Sequence, residues 1–122
     1  MIVAGFGFRG SATPESLRDA LDQAAGELAV AALCAPDDKV ESECLLTLAQ
    51  ALSLPVRPVA AAAVTETATA TQSPEVLKRR GTGSVAEATA LAGAGHGSRL
   101  LSKRCISADR QATCAIAEGT AK

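Results

Sequence analysis

The sequence predicts an α/β domain built on a mostly parallel sheet of about five strands and completed by a C-terminal hairpin. Three observations carry this. Apolar runs of strand length alternate with stretches of helical spacing over residues 1–59, the order of a parallel sheet with right-handed crossovers. One of those runs, Leu28 to Cys34, is apolar throughout, as suits a strand covered on both faces. Near the end, two short strand patterns are joined by a polar connection long enough for a wide hairpin. The 122 residues fit one domain, 1–122, large enough to bury a core without staples.

The elements follow in order. Met1 to Gly5 is an apolar strand that runs into Gly5-Phe6-Gly7-Phe8-Arg9-Gly10. Thr13 is an N-cap and Pro14 suits the first helical position; Leu17, Ala20, Leu21, Ala24 and Ala25 then recur at helical spacing until Gly26 stops the run. Leu28 to Cys34 is the second strand, closed by Ala35-Pro36 and followed by the polar stretch Asp37-Asp38-Lys39. Cys44, Leu45, Leu48, Ala49 and Leu52 form a second helical stripe, with Lys39 and Glu43 at its start as an i,i+4 pair. A short strand spans Pro55 to Val59.

Ala60 to Gln72 is Ala-rich and then Thr-rich, and reads as a short helix passing into a loop. Ser73-Pro74-Glu75 repeats the cap chemistry of Thr13-Pro14-Glu15 and starts a short helix that ends before Gly81. Gly81-Thr82-Gly83-Ser84 turns and caps again, opening a helix from Val85 to about Leu91. Glu87 suits the N-terminal dipole of that helix and, at N3, a capping box. Gly93-Ala94-Gly95-His96-Gly97 ends it, and Arg99 to Ser102 and Ala112 to Ala117 are the last two strands.

Composition excludes several function classes. Phe6 and Phe8 are the only aromatics, which argues against a nucleic-acid binder that stacks bases on aromatic platforms. No apolar run approaches a membrane span, and the N-terminus lacks a basic region ahead of a hydrophobic one, so a cytoplasmic location is expected. Cys34, Cys44, Cys105 and Cys114 lie far apart, with no C-x-x-C pair and no companion histidines. No metal and no protein-borne cofactor is implied; these are free thiols, Cys34 and Cys114 buried as small hydrophobes. Cys105 follows Lys103-Arg104, which would make it reactive if they lowered its pKa.

The formal net charge of −1 hides an asymmetry. Residues 1–72 carry four basic side chains against nine acidic ones, and residues 73–122 carry eight against four. Lys78-Arg79-Arg80 and Arg99, Lys103, Arg104 and Arg110 are responsible, and point to an anionic partner near the C-terminal half. Taken singly, each cluster is equally well a solvated helix face or a charged loop.

The glycine loop is the natural anion site. Its glycines let backbone approach a ligand, the following helix start attracts anions, and Arg9 adds a bidentate charge. Its spacing is also that of a dinucleotide-binding fingerprint, with Asp37 or Asp38 in the place of the ribose-binding acid. There, however, the helix begins at the second glycine, whereas Thr13 and Pro14 place it after Gly10. Catalytic constellations are scarce: His96 is the single histidine and sits between glycines, and no carboxylate pair is spaced for acid-base work.

Taken in order, Val3-Ala4-Gly5-Phe6-Gly7-Phe8-Arg9-Gly10 with its helix, Lys39 to Leu54, Ser73-Pro74-Glu75-Val76, Gly83-Ser84-Val85-Ala86-Glu87-Ala88 with Ala90-Leu91, and Leu100-Leu101-Ser102-Lys103-Arg104 ending in Thr113-Cys114-Ala115-Ile116-Ala117 resemble the CobE / CbiG C-terminal domain family of cobalamin (vitamin B12) biosynthesis. The resemblance covers nearly the whole chain. It implies a three-layer α/β/α sandwich, occurring alone as CobE or as the C-terminal part of CbiG, a cobalt-precorrin-5A hydrolase; the length here fits the stand-alone form. Arg9, the glycines, Lys39, Glu43, Ser84, Glu87, Lys103 and Arg104 match the family pattern. The residue after the second glycine departs from it: the family has Cys there and this chain has Phe8, so no thiol role carries over.

The resemblance implies binding or processing of a corrinoid (precorrin) intermediate, a large apolar ring rimmed by carboxylates. Such a ligand needs a floor of small residues and an edge of Arg, Lys and helix N-termini. The expected binding residues are Gly5, Gly7, Arg9, Gly10, Lys39, Gly83, Ser84, Lys103 and Arg104, gathered where strand-to-helix loops meet at the carboxyl ends of parallel strands. The enzymatic alternative is lactone opening with loss of acetaldehyde, Glu43 or His96 activating water and Arg9 or Lys103 stabilising the oxyanion. The other alternative is a scaffold that passes intermediates between pathway enzymes, docking through the Lys78 to Arg80 helix.

Overall fold

The apolar opening segment becomes the centre of the sheet because both of its edges are paired. In the computed structural model, which describes residues 1–60, 85–95 and 97–119, β1 (Ile2–Phe8) lies between β2 (Ala32–Pro36) and β5 (Ala112–Glu118). The strand order is β3-β2-β1-β5-β4, with β3 at Val56–Val59 and β4 at Arg99–Ile106. β1, β2 and β3 run parallel, β5 pairs antiparallel with both β1 and β4, and the sheet is mixed. The readings over residues 61–84, at His96 and at residues 120–122 lie outside the described residues.

Strand alternation distributes the side chains between two helical layers. Ala4 and Phe6 of β1, Leu33 of β2 and Cys114 and Ile116 of β5 face α1 (Pro14–Ala25) and α2 (Glu43–Leu52), whose Leu17, Leu21, Leu45 and Leu48 close the larger core. Val3, Ala32, Cys34, Ala115 and Ala117 project to the opposite face, under the Ala86, Ala88 and Ala90 of α3 (Val85–Ala94). The three-layer α/β/α arrangement follows. It is asymmetric: the α1/α2 side is filled by Leu and Phe, the α3 side by Ala and Gly, so α3 lies close on the sheet. Gly5 marks a close approach at the middle of the sheet, since a Cβ there would stand 2.7 Å from the Ala90 Cα.

Thr13 and Pro14 start α1 as expected. The Thr13 hydroxyl accepts from the Ser16 N–H at 3.2 Å and the Ser16 hydroxyl accepts from the Thr13 N–H at 3.2 Å, a reciprocal capping box. Gly26, at φ 56°, ends the helix. The second strand begins later than the apolar run suggests. Leu28 is 40% exposed and its N–H closes a turn onto the Ala25 carbonyl at 2.8 Å, so the first half of the run returns the chain to the sheet and Ala32 to Pro36 alone form the buried strand.

Two further expectations are corrected. Lys39 precedes α2 in a turn closed by its N–H on the Pro36 carbonyl at 2.8 Å, so the helical pair with Glu43 does not form. Glu87 lies in the first turn of α3, where the helix dipole was expected to favour it, and is fully buried, its carboxylate accepting the Arg104 N–H at 2.8 Å and tying the helix to β4; the Ser84 half of the expected capping box lies outside the described residues. β4 runs on to Ile106, past the Ser102 expected; two register shifts against β5 reset which residues face inward, and that hid the strand period in Ser102-Lys103-Arg104. Among the described residues no helix is long and apolar enough to cross a membrane.

The four cysteines are free, Cys34 and Cys114 buried. Burial pushes the Cys34 thiol up to about 11 and raises Cys114 well above the ordinary range. Cys105 is raised as well, by burial, so Lys103 and Arg104 do not activate it.

Candidate functional site

β1 and β2 end at the same edge of the sheet, where the loops to α1 and α2, the tip of the β4-β5 hairpin and the first residue of α3 meet around an open cleft of about 530 Å³. Each contribution has a local cause. After Phe8 the Arg9 N–H donates to the Gln111 carbonyl at 2.9 Å, which fastens the glycine loop to the hairpin. The Ala12 N–H then turns back to the Arg9 carbonyl at 3.0 Å, delaying α1 to Pro14 and leaving Arg9 and Gly10 exposed at the cleft.

The cleft wall is aromatic and cationic. Phe8 is half-buried, and the Lys39 ammonium stands 5.3 Å from its ring centroid, a cation-π pair with the charge still at the opening. Arg110 comes from the hairpin tip. Ion pairs among the described residues are Arg18–Asp22 and Arg99–Glu118, so neither Arg9 nor Arg110 is held in one there. Val85 places the N-terminal end of α3 on the cleft, adding the positive end of a helix dipole.

The expected residues divide. Gly7, Arg9, Gly10 and Lys39 line the cleft together. A Cβ on Gly7 would lie 3.0 Å from the Thr113 Oγ1 and 3.3 Å from the Val85 Cβ, whereas one on Gly10 would meet nothing within 4 Å. Gly5 is buried behind them under α3 and does not reach the opening. Glu43 is exposed in the first turn of α2 and is not part of the lining. Lys103 and Arg104 stand further along β4, outside it. Gly83, Ser84 and His96 lie outside the described residues, although Val85, next to Ser84, is on the cleft. Among the described residues no group of three or more His, Cys, Asp or Glu could hold a metal ion.

Arg110 and Gln111 join the site without having been singled out for it. The only sequence signal was the basic excess of residues 73–122, which includes Arg110 but does not locate it. The pairing of Phe8 with Ala112 brings the tip of the hairpin beside the glycine loop.

That tip is wired to α1 through Asp109. Its carboxylate accepts from the Ser107 hydroxyl at 2.6 Å, from the Gln111 N–H at 3.2 Å and from the Ser16 hydroxyl, while the Ser11 hydroxyl donates to the Gln111 side chain. These donors, the Ser107 and Ser16 hydroxyls first, hold the Asp109 carboxyl below the usual aspartate range. A depressed native pKa contributes stability that is complete above the unfolded value of about 4 and is lost as pH falls through the native one. Asp109→Asn should therefore be less stable than the wild type at neutral pH, and the difference should narrow below about pH 4. Urea unfolding midpoints across pH 2–7 measure it; a difference that does not change with pH would disprove the assignment.

The comparisons with known proteins agree on one family. A family model described as "Cobalamin synthesis G C-terminus" matches residues 2–117. Among solved structures, the chain is similar to CobE, a protein from the cobalamin (vitamin B12) biosynthetic pathway, at 33% identity and TM-score 0.82, over 96% of this chain and 89% of that one. It is similar to the cobalamin biosynthesis protein ChiG of Agrobacterium tumefaciens strain C58 at 31% identity and TM-score 0.74, over 99% of this chain and 100% of that one. A putative cobalamin biosynthesis protein G homolog from Sulfolobus solfataricus shares the fold at 21% identity and TM-score 0.69, over 95% of this chain and 36% of that one. No curated protein matches the sequence.

Proposed function

Since this chain belongs to the cobalamin synthesis G C-terminus family of cobalamin biosynthesis proteins, we propose that its cleft binds a polycarboxylate corrinoid precursor by one edge of the ring. The observation that carries the reading is the meeting of Arg9, Lys39 and Arg110 around a half-buried Phe8 in one open cleft. A corrin precursor presents acetate and propionate carboxylates on the rim of an apolar ring. Two guanidinium forks suit the carboxylates bidentately, the ammonium supplies a point charge, and the Phe8 face with Gly7 and Gly10 gives a surface on which a ring edge can lie.

The chemistry at the opening is that of binding. Arg9, Lys39, Arg110 and the start of α3 all favour negative charge, and Gln111 and Thr113 add polar groups for orientation. An open cleft holds part of a macrocycle and leaves the rest outside, which suits a protein that receives an intermediate and releases it. The scaffold role read from the Lys78 to Arg80 segment lies outside the described residues.

The test is a visible-absorption titration of the purified protein with a series of corrin precursors, followed by mass analysis of the recovered ligand. A saturable spectral shift with an unchanged ligand mass is expected. Loss of a two-carbon unit would replace this reading with lactone opening, and no shift with any precursor would overturn it.

A further inference from the structure

Arg110 holds a backbone conformation that its side chain disfavours. The hairpin turn closes with the Arg110 N–H on the Ser107 carbonyl at 2.8 Å, and the Ser107 N–H on the Ala112 carbonyl at 2.9 Å resumes the ladder. Between them Arg110 lies at φ 62°, in the left-handed region that such hairpins give to glycine or asparagine because a larger side chain crowds its own backbone there. Only one other non-glycine among the described residues has positive φ, Ser53 at the end of α2. The rest of the tip is conventional turn chemistry: the Ser107 hydroxyl accepts the Gln111 and Ala112 N–H groups at 3.2 and 3.1 Å, and Asp109 caps the turn from within. Every neighbour supports the turn, and only the residue at its strained position works against it.

The strained residue is also an exposed cation on the lining of the cleft. We infer that Arg110 is a binding residue of this site, kept in a left-handed turn position against the stability of the fold so that its fork meets a carboxylate opposite Arg9. The inference rests on the proposed binding of a polycarboxylate corrinoid, which already counts Arg110 among its cations, and adds that the hairpin turn is held strained for that contact. The Asp109 carboxylate holds the turn that carries Arg110 in place, since its bonds to Ser16, Ser107 and Gln111 fix the tip on α1.

Stability and affinity should therefore move in opposite directions. Arg110→Gly removes the strain and is expected to raise the thermal midpoint by about 2–5 °C. The same variant is expected to bind cobyrinic acid, a corrin with free acetate and propionate carboxylates, about 5–10-fold more weakly than the wild type in a visible titration. Arg110→Asn should behave in the same way, and Arg110→Lys should recover part of the affinity by restoring the charge. Wild-type affinity in Arg110→Gly would overturn the inference and remove Arg110 from the proposed site, corrinoid binding at Arg9 and Lys39 still standing; a midpoint no higher than wild type would overturn the inference and leave the proposed function standing. Failure of the wild-type protein to bind cobyrinic acid would overturn both.

Discussion

Gly5→Ala should unfold roughly 10 °C or more below the wild-type chain, a loss of about 3 kcal/mol from overpacking. Gly5 lies at the middle of β1, paired with Cys34 on one side and Ala115 on the other, and its α-carbon faces α3. An added methyl carbon would stand 2.7 Å from the Ala90 Cα and closer still to the Ala90 nitrogen and the Ala86 carbonyl oxygen. These are backbone atoms, so no rotamer change relieves the clash. Either α3 lifts from the sheet, exposing the small-residue core of Ala86, Ala90, Ala115 and Ala117, or the central strand buckles. Against a typical domain stability of about 5–15 kcal/mol this is a large fraction. Gly10→Ala is the comparison, because a Cβ there meets nothing within 4 Å; its stability should stay within about 0.5 kcal/mol of wild type. Urea or thermal unfolding of the two variants decides, and equal stabilities would refute the close packing of α3.

The second large effect is on binding. Arg9→Glu combined with Lys39→Glu should abolish measurable binding of a polycarboxylate corrinoid. Each cation removed costs a charge-assisted contact, about 3–10-fold at an exposed rim, and each carboxylate put in its place repels the ligand, so the pair should lose about a hundredfold or more. Wild-type affinity should fall as salt rises, since exposed charges are screened over about 10 Å at 0.1 M ionic strength. Lys103→Glu, further along β4 and outside the cleft lining, should weaken binding much less. Equal losses in the double variant and in Lys103→Glu would move the site away from the glycine loop. Retention of binding by the double variant would remove it altogether.

The two expectations give the glycines of the opening loop different tasks. Gly5 admits a helix, Gly7 sits between Thr113 and Val85, and Gly10 lies open beside Arg9. One spacing pattern thus contains a packing residue, a cleft residue and a surface residue. The pattern cannot separate them, because what distinguishes them is the approach of α3, which arrives from residues 85–94. The dinucleotide alternative fails in the same place: α1 begins at Pro14, and the helix that touches the first glycine is α3.

Local chemistry was legible from sequence wherever short-range interactions decide it. Thr13, Pro14 and Gly26 bound α1 because caps and backbone freedom act over a few residues. The alternation of β1 and β5 between the two faces is equally local. The start of β2 was not legible, because an apolar residue such as Leu28 follows the same pattern in a connection as in a strand. The last four residues of β4 were hidden by register shifts that break the period.

An α/β domain with a glycine loop, Arg9 beside it, a C-terminal hairpin and a family resemblance that the comparisons establish could all be read from residue order. Those features are encoded in neighbouring residues or in their order. Which cations share a site became visible once the sheet was assembled. Antiparallel pairing of β5 with β1 brings the Arg110 hairpin to the Arg9 loop, the turn after β2 sets Lys39 over Phe8, and Lys103 and Arg104 fall on the part of β4 outside the cleft lining. The physical reason is that a charge acts through space over a few ångströms, and residues about a hundred positions apart come within that range only once the sheet has formed.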